Sequence, residues 1–157
     1  MITIDISHRE SITIKYLLLD LNGTLALDGM LIEGVSGRIA ELKMALVIYL
    51  ISSDTHGTAK DIAFSLGIDR KIIVPGKDER KQKAAFVKAL GKTHVAAIGN
   101  GQNDALMLKE AILGVCVVGH EGGASGTLAT AKIVVTNPLD ALDLFRFPKR
   151  LTATLRK

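Results

Sequence analysis

A chain of 157 residues suits one domain with a real core, and 48% hydrophobic content with a mean hydropathy of +0.30 makes membrane spans the first thing to exclude. The strongest apolar run, Met44 to Ile51, is too short to cross a bilayer, and the opening MITIDISHRE lacks the apolar core of a signal peptide, so a cytoplasmic protein without membrane contact is expected. A net charge of +4 would suit nucleic acid, but with no Trp and 4% aromatic residues there is little for bases to stack on, and no nucleic-acid partner is expected. The charge is general, with a basic tail at Lys149, Arg150, Arg156 and Lys157 that reads as a solvated helix end. Cys116, the only cysteine, lies in the apolar run VCVV and is expected to be buried and inert.

In chain order, Ile2, Ile4 and Ile6 and then Ile12 and Ile14 alternate with polar residues, which predicts a hairpin with one wet face at a sheet edge. Short apolar runs follow at Tyr16 to Leu21, Leu46 to Ser52, Lys71 to Val74, His94 to Ile98, Val115 to Val118 and Ile133 to Val135, each suited to a strand buried on both faces. Between the first two, Leu25 to Gly34 reads as a small flap hairpin turning at Asp28-Gly29. Helical patterns separate the others. Ser36 can cap a helix carrying Ile39 and Leu42; Thr55 or Asp54 can cap one carrying Ala59, Ile62, Ala63 and Leu66, stopped by Gly67. Lys81 to Leu90 and Asp104 to Ile112 are the next two, and Asn137-Pro138 opens a last helix through Leu142 and Phe145. The stretch with Gly122, Gly123 and Gly126 matches no nucleotide fingerprint and reads as a flexible loop. The alternation predicts a single α/β domain over 1–157, a three-layer Rossmann-like parallel sheet with helices on both faces.

Ligands of such sheets bind beyond the carboxyl ends of the strands. There the sequence places Asp20 before LNGT, Ser52 before a helix start, and Asn100, Gly101, Gln102, Asn103 and Asp104 after the fourth strand. Carboxylates suit Mg²⁺, and a helix N-terminus suits phosphate. Lys83, read as opening the next helix, could supply the cation for the remaining phosphate charge.

These segments resemble the haloacid dehalogenase superfamily. YLLLDLNGT is similar to its first motif, Asp-x-Asp-x-Thr; LISSDTHGTAKDIAFSLGI resembles its second, especially as found in P-type ATPases; AIGNGQNDALMLKEAILGVCV resembles its last, Gly-Asp-Gly-x-Asn-Asp. With Lys83 they span most of residues 16–136. The resemblance implies a capless Mg²⁺-dependent phosphatase acting on a phosphorylated substrate. Asp20 would be the nucleophile, forming an aspartyl-phosphate. Ser52, or Ser53 if the strand ends one residue later, would bind the phosphoryl oxygens. Lys83 would neutralise phosphate charge and orient Asp20, with Lys77 and Lys81 as fallbacks. Asp104 and Asn100 would hold Mg²⁺ directly or through water, with Asp20 and the backbone carbonyl of Asn22, while Gly23 and Thr24 shape the turn after the nucleophile.

Two positions depart from the pattern. Asn22 stands where most of these phosphatases carry the second Asp, the general acid and base, and Asn100 replaces an acidic Mg²⁺ ligand. The expectation is a slow phosphatase with a persistent aspartyl-phosphate, or else a weakened Mg²⁺- and phosphate-binding regulatory module. Both departures are Asn-Gly pairs, so deamidation in aged material is a further expectation. About thirty residues separate Asp20 from Ser52, too few for the nucleotide-binding insertion of an ion pump, and no cap fits between Ser52 and Lys83. An open sheet domain this apolar favours a homo-oligomer. His56 and His120 fall in loops on the active face; His120 with Glu121 is within reach of substrate there, but a lone loop histidine reads as incidental and neither is assigned a role.

Overall fold

The computed structural model describes residues 1–7, 10–54 and 56–156. Its centre is a six-stranded sheet formed by β3 (Tyr16–Leu19), β6 (Val47–Ser52), β7 (Asp69–Ile72), β8 (Val95–Gly99), β9 (Leu113–Val117) and β10 (Ile133–Val135). The order is β10-β9-β8-β3-β6-β7 and every pairing is parallel. From β3 the chain winds outward through β6 and β7. It then crosses back to β8 and winds the other way, so the carboxyl end of β3 lies at the switch point where such sheets bind ligands. The residues of β8 and β9 are all buried, which is why these strands read as unbroken apolar runs.

Helices cover both faces. On one lie α1 (Val35–Leu42), α2 (Ala59–Leu66), α6 (Pro138–Arg146) and α7 (Pro148–Leu155), around a core that includes Leu17, Leu19, Ile39, Leu50, Leu142 and Phe145. On the other, α3 (Glu79–Ala89), α4 (Ala105–Glu110) and α5 (Ser125–Thr130) enclose Leu18, Ile51, Val87, Val95, Met107 and Cys116. Cys116 is buried as expected, and burial raises its thiol pKa, with the Asp104 carboxylate adding to the effect. The flap is β4 (Ala26–Leu27) and β5 (Met30–Leu31); Asp28 and Gly29 take φ of 51° and 78°, the two positive values a tight hairpin turn requires. Among the described residues, no helix is long and apolar enough to cross a membrane.

Several local expectations are corrected. The first hairpin, β1 (Ile2–Ser7) and β2 (Glu10–Ile14), is a two-stranded sheet of its own and is not hydrogen-bonded to an edge of the main sheet. It leads through Lys15 into the amino end of β3, far from the switch point. The third run starts at Asp69, and as the edge strand it exposes Lys71 and Ile72; Ile73, just beyond it, is the buried residue. The cap of α1 is Gly34 at φ 86°, not Ser36. Thr55 lies outside the described residues and the N-cap of α2 is Thr58, not Asp54, although Asp54 Oδ1 accepts the N–H of Ala59, the first helical residue, at 2.7 Å; Gly67 ends the helix in left-handed geometry. Helix α3 begins two residues early, because Asp78 accepts the Lys81 N–H at 3.3 Å, and this puts Lys83 one turn inside the helix. The glycine-rich stretch contains a short helix, α5, and the basic tail contains α7, which buries Leu151.

Helices α1 and α6 are joined by a charged cluster. Arg38 donates from Nε to Asp143 Oδ1 at 2.9 Å and from Nη2 to Oδ2 at 3.2 Å, and Arg146 Nη1 donates to Oδ1 at 2.7 Å. Burial alone would raise the Asp143 pKa, but these hydrogen bonds and charges outweigh it and hold the carboxyl below its usual 3.8. A depressed carboxyl stabilises the fold above its unfolded pKa, and that stability is lost as pH falls through the folded value. Asp143→Asn therefore lowers the Tm at pH 7, and the deficit shrinks in melts carried below pH 3.8.

Candidate active site

The nucleophile candidate is fixed by backbone first. The Asp20 N–H donates to Ile98 O at 3.0 Å, which extends the β3–β8 ladder one residue beyond β3. The chain then closes tightly: Leu25 N and Ala26 N donate to Leu21 O at 2.8 and 2.9 Å, and Gly23 N donates to Ala26 O at 2.8 Å. Gly23 makes this turn with φ 74°, and a Cβ there would stand 2.3 Å from Asn100 Nδ2 and 2.8 Å from Glu121 Oε2. A side chain there would meet both this left-handed backbone and the two side chains, so glycine is the favoured residue.

Lys83 reaches this point from α3. Its ammonium is fully buried and donates to Asp20 Oδ1 at 2.7 Å and to Asp104 Oδ1 at 2.6 Å. Lys81 is exposed and paired with Asp78, and Lys77 is exposed, so neither takes this place. Burial pushes the Asp20 carboxyl from its usual 3.8 up to about 7, and the like charge of Asp104 adds to this while Lys83 pulls it back. Burial acts to lower the Lys83 pKa, but the two carboxylates more than offset it and keep the ammonium charged.

Asp104 organises the loop after β8. Its Oδ2 accepts the backbone N–H groups of Asn100 and Gly101 at 3.0 and 2.9 Å. Gly99 is required beneath it, since a Cβ there would lie 2.5 Å from the Asp104 carboxyl carbon. Thr24 Oγ1 lies 3.4 Å from Asp20 Oδ2 and 3.1 Å from Asn100 Oδ1, and donates to one or the other. Ser52, buried at the end of β6, accepts the Asp54 N–H on Oγ at 2.9 Å, which leaves its own proton to donate. Ser53 is half-buried and lies past the strand end.

Supports came to light that no local pattern signals, because each joins distant elements. Asn103 donates to Glu79 at 2.9 Å, tying α3 to the loop, and Thr127 of α5 donates to Gly101 O at 2.6 Å. His56 packs beside the flap turn at Gly29, where a Cβ would lie 3.4 Å from its own. His120 is exposed in the loop after β9. The expectation of deamidation meets a physical obstacle. Each reaction needs the following backbone nitrogen to attack the side chain, yet Gly23 N is bonded to Ala26 O and Gly101 N to Asp104.

The donors suit a hard cation. Every candidate ligand atom is an oxygen, as Mg²⁺ prefers. Asn22 Oδ1 is buried with no hydrogen-bond partner among the described residues, an orphaned acceptor two residues beyond Asp20. Among the described residues no three His, Cys, Asp or Glu side chains cluster as ligands, so the fit rests on two carboxylates supported by amides.

The switch point of this parallel sheet thus holds an aspartate, a buried lysine and a second aspartate, the core of a hydrolase-type α/β enzyme domain. Residues 5–111 match the haloacid dehalogenase-like hydrolase family, and the chain belongs to that family. An uncharacterized protein of Methanocaldococcus jannaschii is 53% identical over 62 residues, which cover 40% of this chain and 67% of that one. The potassium-transporting ATPase ATP-binding subunit of Thermoplasma volcanium is 27% identical over 135 residues, 84% of this chain but only 20% of the ATPase. Among solved structures, the cobalt-bound deoxy-D-mannose-octulosonate 8-phosphate phosphatase of Haemophilus influenzae superposes with a TM-score of 0.69 at 13% identity, covering 92% of this chain and 94% of that one. A phosphoserine phosphatase superposes with a TM-score of 0.67 at 15% identity, covering 86% and 99%. At such identities these two likenesses bear on the fold.

Proposed function

We propose that this chain is a slow Mg²⁺-dependent phosphohydrolase that works through an aspartyl-phosphate on Asp20. The observation that carries the reading is the buried Asp20–Lys83–Asp104 triad at the sheet's switch point, with Ser52 ending the neighbouring strand. An Asp20 oxygen attacks phosphorus, and the bond from phosphorus to the leaving oxygen breaks. Lys83 and the Ser52 hydroxyl receive the phosphoryl charge, and Thr24 holds the turn. The Asn22 amide is not acidic enough to protonate the leaving oxygen, which takes its proton from solvent. Water then attacks the aspartyl-phosphate and releases phosphate, again without a local base. Asp20, the Asn22 carbonyl and Asn100 would hold Mg²⁺, with Asp104 acting through water because both its oxygens already accept donors. When bound, the ion neutralises phosphoryl charge and favours the ionised form of Asp20.

Incubation with Mg²⁺ and acetyl phosphate is expected to add one phosphoryl group to the intact mass, with slow phosphate release, and neither occurs in Asp20→Asn. The two amides, Asn22 and Asn100, favour a second reading, a phosphate- and Mg²⁺-binding regulatory module. It is supported instead if phosphate with Mg²⁺ raises the Tm while no donor gives adduct or release. A cytoplasmic location and a homo-oligomer are part of the proposal. Met30 at the flap tip and Phe64 on α2 are 75% and 87% exposed, apolar surface that a second copy would cover. Light scattering showing a monomer throughout the micromolar range overturns the oligomer.

A further inference from the structure

We propose that a cleft beside the Asp20 turn is the leaving-group subsite, and that it selects phosphate esters of apolar-bodied alcohols without a carboxylate, such as aryl phosphates. The inference rests on the phosphohydrolase reading and names its substrate class.

The cleft has a volume of about 500 Å³, within the range of small-molecule sites. It begins at Gly23, three residues beyond Asp20, so it is continuous with the nucleophile's turn. Ala26, Leu27 and Ile32 of the flap line one side, and Val118, Pro138 and Leu139 line the other. The far wall is braced, since a Cβ on Gly34 at the end of the flap would lie 3.4 Å from Leu139 Cδ1. Near the turn, the backbone of Gly119 closes over Gly23: a Cβ on Gly119 would stand 3.6 Å from the Gly23 carbonyl oxygen.

Charge decides what this space accepts. Among the described residues the lining contains no Asp, Glu, Lys or Arg. Its polar side chains are those of His120, Thr136 and Asn137, and Asn137 already accepts the Leu139 N–H at 2.8 Å. A leaving group bearing a carboxylate would give up water and find no fixed cation, and it would meet Glu121, whose Oε2 would stand 2.8 Å from a Cβ on Gly23. An apolar body would bury its surface against the six aliphatic walls and lose nothing. The buried charges, Lys83, Asp20 and Asp104, lie at the phosphoryl end. The combined site is therefore charged at one end and apolar at the other, the polarity of an aryl or branched alkyl phosphate.

The test separates binding from turnover. Calorimetry with Mg²⁺ compares two non-hydrolysable probes, 1-naphthylphosphonate and methylphosphonate, while hydrolysis of 1-naphthyl phosphate, phosphoserine and acetyl phosphate is followed on the same protein. The naphthyl probe is expected to bind about 10-fold more tightly or better, a difference that Leu139→Asp abolishes and the milder Leu139→Ala reduces. Naphthyl phosphate is expected to exceed phosphoserine in kcat/KM. Equal binding of the two probes, a preference for phosphoserine, or an unchanged probe ratio in both Leu139 variants overturns the subsite. Discrimination in binding with no ester hydrolysed keeps the cleft as the recognition site and overturns the hydrolase reading alone. Hydrolysis without discrimination does the reverse.

Discussion

Asn22→Asp is expected to raise phosphate release by about 10²–10⁴-fold, the usual worth of general acid–base help, and to abolish the accumulated aspartyl-phosphate. The argument starts from the amide itself. Asn22 sits two residues beyond Asp20, its Oδ1 is buried, and that oxygen has no hydrogen-bond partner among the described residues. An amide oxygen in that position can accept, but it cannot deliver a proton to a departing alkoxide or take one from water. A carboxyl of the same shape can do both, so the substitution changes the chemistry with little change in packing. Single-turnover and steady-state phosphate release, measured with an ester whose leaving group is a poor one, check it. Acetyl phosphate, with a far better leaving group, should gain less in the first step, because its departure needs less protonation. A variant that releases phosphate no faster than the parent with either donor would show that Asn22 does not limit turnover. The rate would then be set elsewhere, with cation affinity at Asn100 the first place to look.

The layers were legible in the sequence because the central strands are buried on both faces. β8 and β9 leave no room for a polar residue, so their apolar runs stand out. The edge was less legible. β7 exposes most of its residues, and the apolar signal that marked it, Ile72 to Val74, belongs partly to the turn that follows. The first hairpin was recognisable from its alternation, but alternation says that one face is covered and not what covers it. Helices α5 and α7 went unread for different reasons: α5 is six residues long and begins among glycines, while the charges of α7 hide a buried face whose anchor is Leu151. At the site, Asp20, Ser52 and Asp104 could be read because each lies at or near a strand end. Lys83 shows where reading stops. Its place in the sequence is an ordinary lysine among the exposed Arg80, Lys81 and Lys88, and only the α3 cap at Asp78 turns it inward. The cleft was invisible for the same reason, since the flap and the start of α6 meet only in space.

Lys83→Met is expected to cost about 3–5 kcal/mol of stability, the penalty for breaking a buried ion pair by removing one partner. Methionine fills a similar volume, so the loss reports charge more than packing. In the parent the ammonium lies 2.7 Å from Asp20 Oδ1 and 2.6 Å from Asp104 Oδ1, and all three groups are buried. Without it, two carboxylates face one another in a dry site with nothing between them. Chemical denaturation in the absence of divalent ions measures the cost. The same variant tests the cation reading through stability and not through activity. A divalent ion held by Asp20 and its neighbours supplies the positive charge that the variant lacks, so Mg²⁺ should raise the Tm of Lys83→Met by more than it raises the parent's. An equal shift in both proteins would mean that the ion binds outside the reach of these carboxylates. A loss well under 1 kcal/mol would mean that the triad relaxes into solvent when the lysine is removed, and that the burial of Asp20 is not what sets its behaviour.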